Sequence, residues 1–431
     1  MPAHPDSGRP APVAPGVGAS LEQWLAYLES IHPIGIDLGL DRVLLVLRRL
    51  FPHKPAGRII TVAGTNGKGS TVAALEALLQ AAGRRTGAYT SPHLHRYNER
   101  IRIDGNDIDD ATLIRAFERV EQARGAVSLT YFEFGTLAAF VTFAEAGVDD
   151  WILEVGLGGR LDAVNVLDAD LAVIASVDID HADFLGHDRE TIGFEKAGIL
   201  RPGIPAIYAD DAPPRSVLQQ AAAQRVALAL LGRDYEIRHE GGAVYLQYQS
   251  LRLSLPAGPL PVKSLAAAAV AVHRLEPELP PSTLESVLAR VRVAGRFERL
   301  GEAPPVYVDV GHNPHAAGWL AGRVRDLPGP PRKVIAVYAA LADKDVEGVA
   351  LRMAPVVSEW HLAPLAVPRG LALADLSARL AAAGVTGRGH DSVADALAAA
   401  KAAAGEDGVV VVFGSFFTVA EARAVLVSGV P

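Results

Sequence analysis

Cysteine is missing from this chain of 431 residues. Its absence excludes disulfides, zinc–thiolate sites and thiol nucleophiles, which fits a cytosolic enzyme. An excess of basic residues is also missing, because the formal net charge at pH 7 is −8. Nucleic-acid binding needs a basic surface that neutralises phosphates, so the composition argues against a nucleic-acid partner. We therefore expect a cytoplasmic protein whose ligands are not nucleic acids.

Long apolar runs are missing as well. No stretch of about 18 uncharged apolar residues occurs, so we expect no membrane span. The first 20 residues are rich in proline and glycine and have no apolar core of signal-peptide length, which predicts a disordered extension over residues 1–20. Half of the chain is nevertheless hydrophobic and only 21% is charged. That composition is sufficient for the cores of two or three domains.

Short β-branched runs alternate with helical patterns along most of the chain. "GRIITVAG" reads as a buried strand, and "STVAALEALLQAAG" reads as the helix that follows it. The alternation predicts an α/β fold with parallel sheets. It breaks and restarts near Arg296, which predicts a first α/β domain over residues 21–295 and a smaller Rossmann-like α/β domain over residues 296–431. "AVYLQYQSLRLSLP" alternates with period two, as an antiparallel edge of a sheet does.

The stretch "GTNGKGST", Gly64 to Thr71, resembles a phosphate-binding loop with an irregular spacing. In the usual pattern a Ser or Thr that holds Mg²⁺ follows the lysine directly, whereas here Gly69 follows Lys68. Three glycines still let backbone N–H groups approach a phosphate, and the next helix presents its positive end to the anion. A tight turn with a surface lysine is the alternative. The flanking strand and helix favour a nucleotide site.

Polar residues follow several other predicted strands. Ser91 precedes a proline, so its backbone is held out of the helical region. Glu154 ends the strand "WILE", where a carboxylate faces the crevice of an open α/β sheet and can hold Mg²⁺. His181 lies in an aspartate-rich loop, and Asp309 ends a strand of the second domain. Each residue also has an ordinary explanation as a loop, capping or surface group.

Seven motifs occur in an order that resembles the folylpolyglutamate synthase/dihydrofolate synthase family of Mur-type amide ligases. They are "GTNGKGST", "YTSPHLHRYNERI", "LEVGLGGRLDAVN", "DHADFLGHDRETIGFEKAGI", "AGRFERL", "DVGHNPHAAG" and "FGSFFTVAEA". The resemblance implies an N-terminal P-loop ATPase-type domain, like the central domain of Mur ligases, followed by the C-terminal ligase domain. It covers the chain from about Leu21 to its end.

The resemblance also implies a reaction. In this family ATP phosphorylates a carboxylate of a pteroate or folate, and the amino group of L-glutamate attacks the acyl phosphate. The implied ligands are ATP, Mg²⁺ at two sites, dihydropteroate, reduced folates and L-glutamate, and the need for a monovalent cation is left open. A monomer is implied.

Site residues are carried over from the family's motifs onto matching positions. The implied ATP contacts are Thr65, Asn66, Gly67, Lys68, Gly69, Ser70, Arg296, Asp309 and His312. The implied Mg²⁺ ligands are Ser91, Glu154 and His181. The implied catalytic residues are Lys68, His181 and Lys196, the last of them carbamylated. The implied pteroate and folate contacts are Ile36, Asp37, Leu38, Gly39, Thr130, Tyr131, Phe132, Glu133, Leu161, Asp162 and Ala163.

Two positions depart from the family pattern: Ser264 stands where an asparagine usually touches the nucleotide, and Phe417 replaces a polar residue. "LTYFEFGTLAAF" and "IDLGLDRV" favour a bifunctional member over one dedicated to polyglutamylation. A muramoyl–amino-acid ligase is a further alternative, but only about 60 residues precede the loop, too few for its extra domain. A nucleotide-dependent switch is the non-enzyme alternative, and it would not need ATP contacts from a second domain.

Overall fold

The computed structural model of the protein describes residues 12–329 and 332–428. Residues 1–11 of the predicted extension lie outside the described residues. Within residues 12–20, Ala14 and Ala19 pack against the first hydrophobic core. The Ser20 hydroxyl accepts a hydrogen bond from the backbone N–H of Gln23 and so caps the first helix.

An eight-stranded sheet organises the first part of the chain. Its strands are β1 (Arg58–Ala63), β2 (Thr86–Tyr89), β3 (Ile101–Ile103), β4 (Asn106–Asp107), β5 (Asp150–Glu154), β6 (Leu171–Ile174), β7 (Pro205–Tyr208) and β8 (Ala227–Leu230). They lie in the order β4-β3-β2-β5-β1-β6-β7-β8. Six strands are parallel to one another, and they are β2, β5, β1, β6, β7 and β8. At one edge, β3 pairs antiparallel with β2, and β4 pairs antiparallel with β3. The carboxyl ends of the parallel strands therefore meet at one edge of the sheet, where open α/β folds bind ligands.

Helices cover both faces of this sheet. They are α1 (Leu21–Ser30), α2 (Asp41–Leu50), α3 (Lys68–Ala81), α4 (Asp110–Arg124), α5 (Tyr131–Ala146), α6 (Ala182–Leu185), α7 (Arg189–Ala197), α8 (Arg215–Ala223), α9 (Val262–Leu275) and α10 (Pro281–Leu288). Successive strand residues point to opposite faces, so Ile59 belongs to the core under α5 whereas Ile60 belongs to the core under α3 and α9. Both faces of the sheet are buried, as expected for parallel strands with near-continuous apolar sequences.

A separate three-stranded antiparallel sheet follows. It consists of β9 (Tyr235–Glu240), β10 (Ala243–Tyr248) and β11 (Leu251–Leu255) in the order β11-β10-β9. The alternating pattern thus predicted antiparallel pairing, but these strands form a sheet of their own and not an edge of the parallel sheet. The reason is that one face of β11 supplies Leu251, Leu253 and Leu255 to the core under α9 and α10.

A six-stranded sheet organises the rest of the chain. Its strands are β12 (Glu298–Glu302), β13 (Pro305–Asp309), β14 (Val334–Tyr338), β15 (Glu359–Leu362), β16 (Arg388–Gly389) and β17 (Val409–Phe413), in the order β12-β13-β17-β14-β15-β16. The helices on its faces are α11 (Pro314–Arg325), α12 (Val346–Met353), α13 (Leu373–Ala382), α14 (Val393–Ala404) and α15 (Phe416–Ser428). Only β12 runs antiparallel to its neighbour.

The two parallel sheets confirm the predicted α/β class, with two separate cores in each part of the chain. The predicted boundary at residues 295 and 296 lies just before β12, and these domain limits stay predictions. In the described ranges, no helix is long and apolar enough to cross a bilayer.

Candidate active site

The stretch from Gly64 to Thr71 contains the turn after β1 and the first residues of α3, at the carboxyl edge of the first sheet. Gly67 has a left-handed backbone with φ +83°, and a Cβ there would lie 2.8 Å from the Ser264 hydroxyl; glycine avoids both penalties. Because α3 begins at Lys68, the free N–H groups of its first turn face the loop, as in anion-binding helix starts. The Thr71 hydroxyl donates to the Gly67 carbonyl at 2.8 Å, so it is engaged within the helix.

Lys68 curls back over the loop. Its ammonium donates to the carbonyl oxygens of Gly64 at 2.9 Å and Thr65 at 3.3 Å. Burial lowers the pKa of Lys68, while the negative charges of Glu154 and Asp180 favour its protonated form. A cation that pairs mainly with backbone carbonyls in a glycine loop is suited to an incoming phosphate.

A cavity of about 210 Å³ lies where the phosphate loop meets the second sheet. Its lining includes five of the residues predicted to bind ATP: Asn66, Gly67, Ser70, Arg296 and Asp309. Ser264, which stands where the family has a nucleotide-contacting asparagine, also lines it, as does Trp319, which was not predicted. Of the other predicted ATP residues, Gly69 lines a neighbouring cavity together with Arg296. Thr65, Lys68 and His312 line neither cavity among the described pockets.

Asp309 and Arg296 bring the second domain to this cavity. The Asp309 carboxylate accepts hydrogen bonds from the backbone N–H groups of Phe297 at 2.8 Å and Gly311 at 2.7 Å. Burial raises the pKa of Asp309, and the charge of Arg296 opposes that shift. The Arg296 guanidinium lies 5.3 Å from the centre of the Phe416 ring. Two backbone donors thereby hold the Asp309 carboxylate, while Arg296 packs on an aromatic ring.

The two departures from the family pattern lie in different places. The Ser264 hydroxyl donates to the Gly67 carbonyl at 3.3 Å, so this helix start still touches the phosphate loop. Phe417 is 43% exposed, whereas its neighbour Phe416 is the residue that contacts Arg296. Nothing in the structure explains the phenylalanine at 417.

Asp180 connects the two domains beside the loop. Its carboxylate accepts hydrogen bonds from the Lys344 ammonium and the Asn313 amide, both at 2.9 Å, and lies 3.4 Å from His312 Nε2. Asn313 also exchanges hydrogen bonds of 3.0 and 3.1 Å with Asn66 of the phosphate loop. Although burial alone would raise it, the pKa of Asp180 is held well below its usual range by His312 and Lys344.

The predicted metal ligands lie on separate loops around the same crevice. Glu154 ends β5 and is buried, and burial raises its pKa against the opposing charges of Lys68 and Arg296. The Ser91 backbone N–H lies 3.4 Å from Glu154 Oε2. Ser91 and His181 line one further cavity together. A buried carboxylate with spare lone pairs, on a strand end beside the Ser91 backbone, fits a hard cation.

His181 has an unusual backbone and a neutral ring. It adopts a left-handed conformation with φ +52° directly before α6. Burial lowers its pKa to about 4, with Asp180 opposing, so its ring nitrogens are available as ligands at neutral pH. Within residues 12–329 and 332–428, no group of three His, Asp or Glu side chains is arranged so that it could hold a metal ion by itself. A bound cation would therefore also use oxygens of nucleotide phosphates and water.

Lys196 lies on α7 and is 3% exposed. Burial and the charge of Lys68 lower its pKa to about 7, while Asp180 and Asp162 oppose the shift. A Cβ on Gly159 would come within 3.0 Å of the Lys196 carbonyl, so the loop after β5 packs directly on this turn of helix. A substantial fraction of this amine is therefore uncharged at neutral pH, which is the nucleophilic form.

Most of the predicted pteroate contacts line a single cavity of about 320 Å³. They are Ile36, Asp37, Leu38, Thr130, Phe132, Glu133, Leu161, Asp162 and Ala163. Tyr131 and Gly39 do not line it. Because α2 begins only at Asp41, the preceding "IDLG" segment is free to form one wall.

Charged groups fix the walls of this cavity. Arg42 bridges Asp37 at 2.6 Å and Glu133 at 2.8 Å. Asp162 accepts hydrogen bonds from the backbone N–H groups of Leu157 and Val164, and burial raises its pKa to about 6. At Gly156 a Cβ would lie 2.6 Å from the Phe132 ring, so only glycine lets that ring close the wall.

Two arginines of this cavity were missed in the sequence, Arg100 from the first domain and Arg369 from the second. The Lys344 contact with Asp180 was missed too; Lys344 lies in the loop between β14, which ends at Tyr338, and α12, which begins at Val346. Position after a strand was the available signal for Lys344. Arg100 is the second arginine of "RYNERI", a motif that carried the resemblance without any role for this residue.

Comparison with known proteins places this geometry in a family. The Mur ligase middle domain matches residues 62–263, and the domain described as "Mur ligase, glutamate ligase domain" matches residues 295–416. A dihydrofolate synthase/folylpolyglutamate synthase of Escherichia coli is 44% identical over 415 residues, which cover 96% of this chain and 97% of that protein. The chain belongs to the dihydrofolate synthase/folylpolyglutamate synthase family. The predictions of the family and of the fold class are confirmed.

Solved structures of relatives agree with this assignment. E. coli FolC in complex with DHPP and ADP has a TM-score of 0.92 and 42% identity, covering 96% of this chain and 100% of that one. A bifunctional folylpolyglutamate synthase/dihydrofolate synthase with Mn, AMPPNP and L-glutamate bound has a TM-score of 0.89 and 42% identity at the same coverage. Similar proteins thus bind ADP and DHPP in one structure, and Mn, AMPPNP and L-glutamate in another.

The metal assignment predicts that Glu154→Gln, Ser91→Ala and His181→Ala each weaken Mn²⁺ binding in the presence of AMPPNP, by on the order of 10- to 100-fold for the glutamate. The reason is that each change removes one ligand atom. Calorimetric or paramagnetic Mn²⁺ titration measures the effect. Asp183→Asn, an exposed change two residues from His181, is the control that should leave the affinity unaltered. Unchanged Mn²⁺ affinity in all three variants would contradict the assignment.

Proposed function

We propose that the protein is an ATP-dependent ligase that joins L-glutamate to dihydropteroate, giving dihydrofolate, and to the γ-carboxylate of reduced folates. The observation that carries this is the position of Ser91. It lines the cavity of about 320 Å³ that holds most of the predicted pteroate contacts, called the pterin-type cavity below. It also lies beside Glu154, next to the phosphate loop. A carboxylate at the end of that cavity is therefore close to the place where a nucleotide's terminal phosphate would lie.

The chemistry divides one difficult substitution into two easier ones. A carboxylate oxygen of the pterin substrate attacks the γ-phosphorus of ATP, and the bond to the β,γ-bridging oxygen breaks to release ADP. The uncharged amino group of glutamate then attacks the acyl carbon, the carbon–oxygen bond to phosphate breaks, and the nitrogen loses a proton. Lys68 and Arg296 offset the negative charge that gathers among these anions. Ser91, Glu154 and His181 would hold a divalent cation, which would supply further positive charge beside the phosphates.

Lys196 would act as its carbamate. The uncharged amine adds to carbon dioxide and loses a proton, giving an anionic group with two oxygens. Its surroundings support this proposal, because the buried amine has a pKa of about 7. The carbamate would place oxygen atoms, which hard cations prefer, beside the positive charge of Lys68.

Bifunctionality is favoured over the alternatives by the match with relatives named for both activities. The second domain's contacts with Asn66 and Asp180 across the phosphate loop favour a ligase over a nucleotide switch. A UDP-muramoyl substrate is disfavoured because the pterin-type cavity is walled by "IDLG" and α5 and measures only about 320 Å³. The monomeric state and the cytoplasmic location stay predictions.

The proposed activity predicts that ADP release rises well above background only when glutamate is present with dihydropteroate, or with tetrahydrofolate. A coupled assay with each compound alone and in combination measures this. ATP hydrolysis that ignores all of these additions would contradict a ligase. Turnover that requires a UDP-muramoyl compound would instead support the cell-wall alternative.

The carbamate predicts a specific pH dependence. Below a pH of about 7 the Lys196 amine is protonated and cannot take up carbon dioxide, so activity should fall there and be partly restored by bicarbonate. Lys196→Ala should lower kcat on the order of 100-fold, with partial rescue by short carboxylates such as acetate. Carbon-13 NMR with labelled bicarbonate detects the carbamate directly. Full activity of Lys196→Ala without any carboxylate would rule the proposal out.

A further inference from the structure

Arg100 is a buried cation in the wall of the pterin-type cavity. It ends the short 3₁₀ turn Tyr97–Arg100, is 9% exposed, and lines the cavity of about 320 Å³. Its guanidinium lies 4.9 Å from the centre of the Tyr97 ring and 5.6 Å from that of Tyr131. Two aromatic rings thus hold the position of this side chain.

No described carboxylate lies within 4 Å of the Arg100 guanidinium, and its one side-chain hydrogen bond runs from Nε to His93 Nδ1 at 2.9 Å. Two residues along the chain, Arg102 is paired with Glu76 at 2.8 Å. A buried guanidinium is costly unless an anion completes its hydrogen bonds. The terminal nitrogens of Arg100 therefore point to an anionic ligand in the cavity.

The backbone places Arg100 at the reacting end of the cavity. The Thr90 backbone N–H donates to the Arg100 carbonyl at 2.9 Å. Ser91, the next residue, lines the same cavity and lies beside Glu154. An anion bound by Arg100 would therefore be close to the carboxylate that is phosphorylated.

The two proposed substrates differ in their carboxylates at this end. Dihydropteroate has a single carboxylate, which must go to the phosphate site. A folate ends in a glutamate residue, whose γ-carboxylate reacts and whose α-carboxylate remains as a second anion. We propose that Arg100 binds this α-carboxylate of the folate's terminal glutamate, and so serves the polyglutamylation reaction and not the first glutamate addition. This inference rests on the proposed function.

Arg369 is the other arginine of the cavity and fits this role less well. Its side chain is 61% exposed and lies 3.5 Å from the Asp343 carboxylate. It comes from the second domain, so its place depends on how the domains meet. Arg100 is buried, has no carboxylate partner among the described residues and is fixed within the first domain.

The test compares tetrahydrofolate with its analogue in which the α-carboxylate of the terminal glutamate is an amide. Wild type should show a KM for the amide about 10- to 100-fold higher, as expected for one charged hydrogen-bonded pair. Arg100→Gln should raise the KM for tetrahydrofolate by a similar factor and abolish the discrimination between acid and amide. The KM for dihydropteroate should not change. Arg100→Lys should give an intermediate result, because lysine keeps the charge without the bidentate geometry.

Arg96→Gln is the matched control, since this arginine of the same segment is exposed and paired with Asp110. It should leave all three KM values unaltered. Equal KM values for acid and amide in wild type, or discrimination that persists in Arg100→Gln, would overturn the inference. So would an equal rise for dihydropteroate and tetrahydrofolate. If Arg100→Gln does not fold, the wild-type and Arg100→Lys comparisons decide. Absence of turnover with every pterin compound in wild type would instead contradict the proposed function.

Discussion

The candidate site depends on one carboxylate, Asp180, which holds the second domain against the first. It receives hydrogen bonds from Lys344 and Asn313 and has His312 within 3.4 Å. Through Asn313 the contact extends to Asn66 of the phosphate loop. The cavity of about 210 Å³ beside the phosphate loop exists only while these groups stay together, because its walls come from both domains. Charge pairing at a largely buried position is directional, so it fixes the relative orientation of the domains more specifically than apolar contact would.

Near this contact, burial pushes three ionisable groups of the crevice toward their uncharged forms. It raises the pKa of Glu154 and lowers the pKa values of Lys196 and His181. A polyanionic nucleotide and a divalent cation would change that balance by supplying charge inside the crevice. Positioning of such groups in a site shielded from water is the main catalytic resource for phosphoryl transfer. The arrangement therefore suits chemistry that begins only when the ligands complete it.

Much of the fold and of the site could be predicted from sequence, because the signals were local. Strands ending in polar residues indicated Glu154 and Asp309, and the glycine loop between a strand and a helix indicated the phosphate site. Contacts between distant segments were not visible. Lys344 lies 164 positions from Asp180, and only folding shows that the two meet. Arg100 was missed for a different reason: its significance lies in the carboxylate partner that it lacks among the described residues, which no sequence pattern reports.

The most direct test of this account measures the domain arrangement itself. Since the chain has no cysteine, spin labels can be attached at Glu118→Cys on α4 and Asp375→Cys on α13, both exposed positions. Double electron–electron resonance then gives the distance distribution between the domains. The account predicts one narrow distribution for the labelled protein, and a broader one shifted to longer distances when Asp180→Ala is added. Identical distributions with and without Asp180→Ala would contradict it.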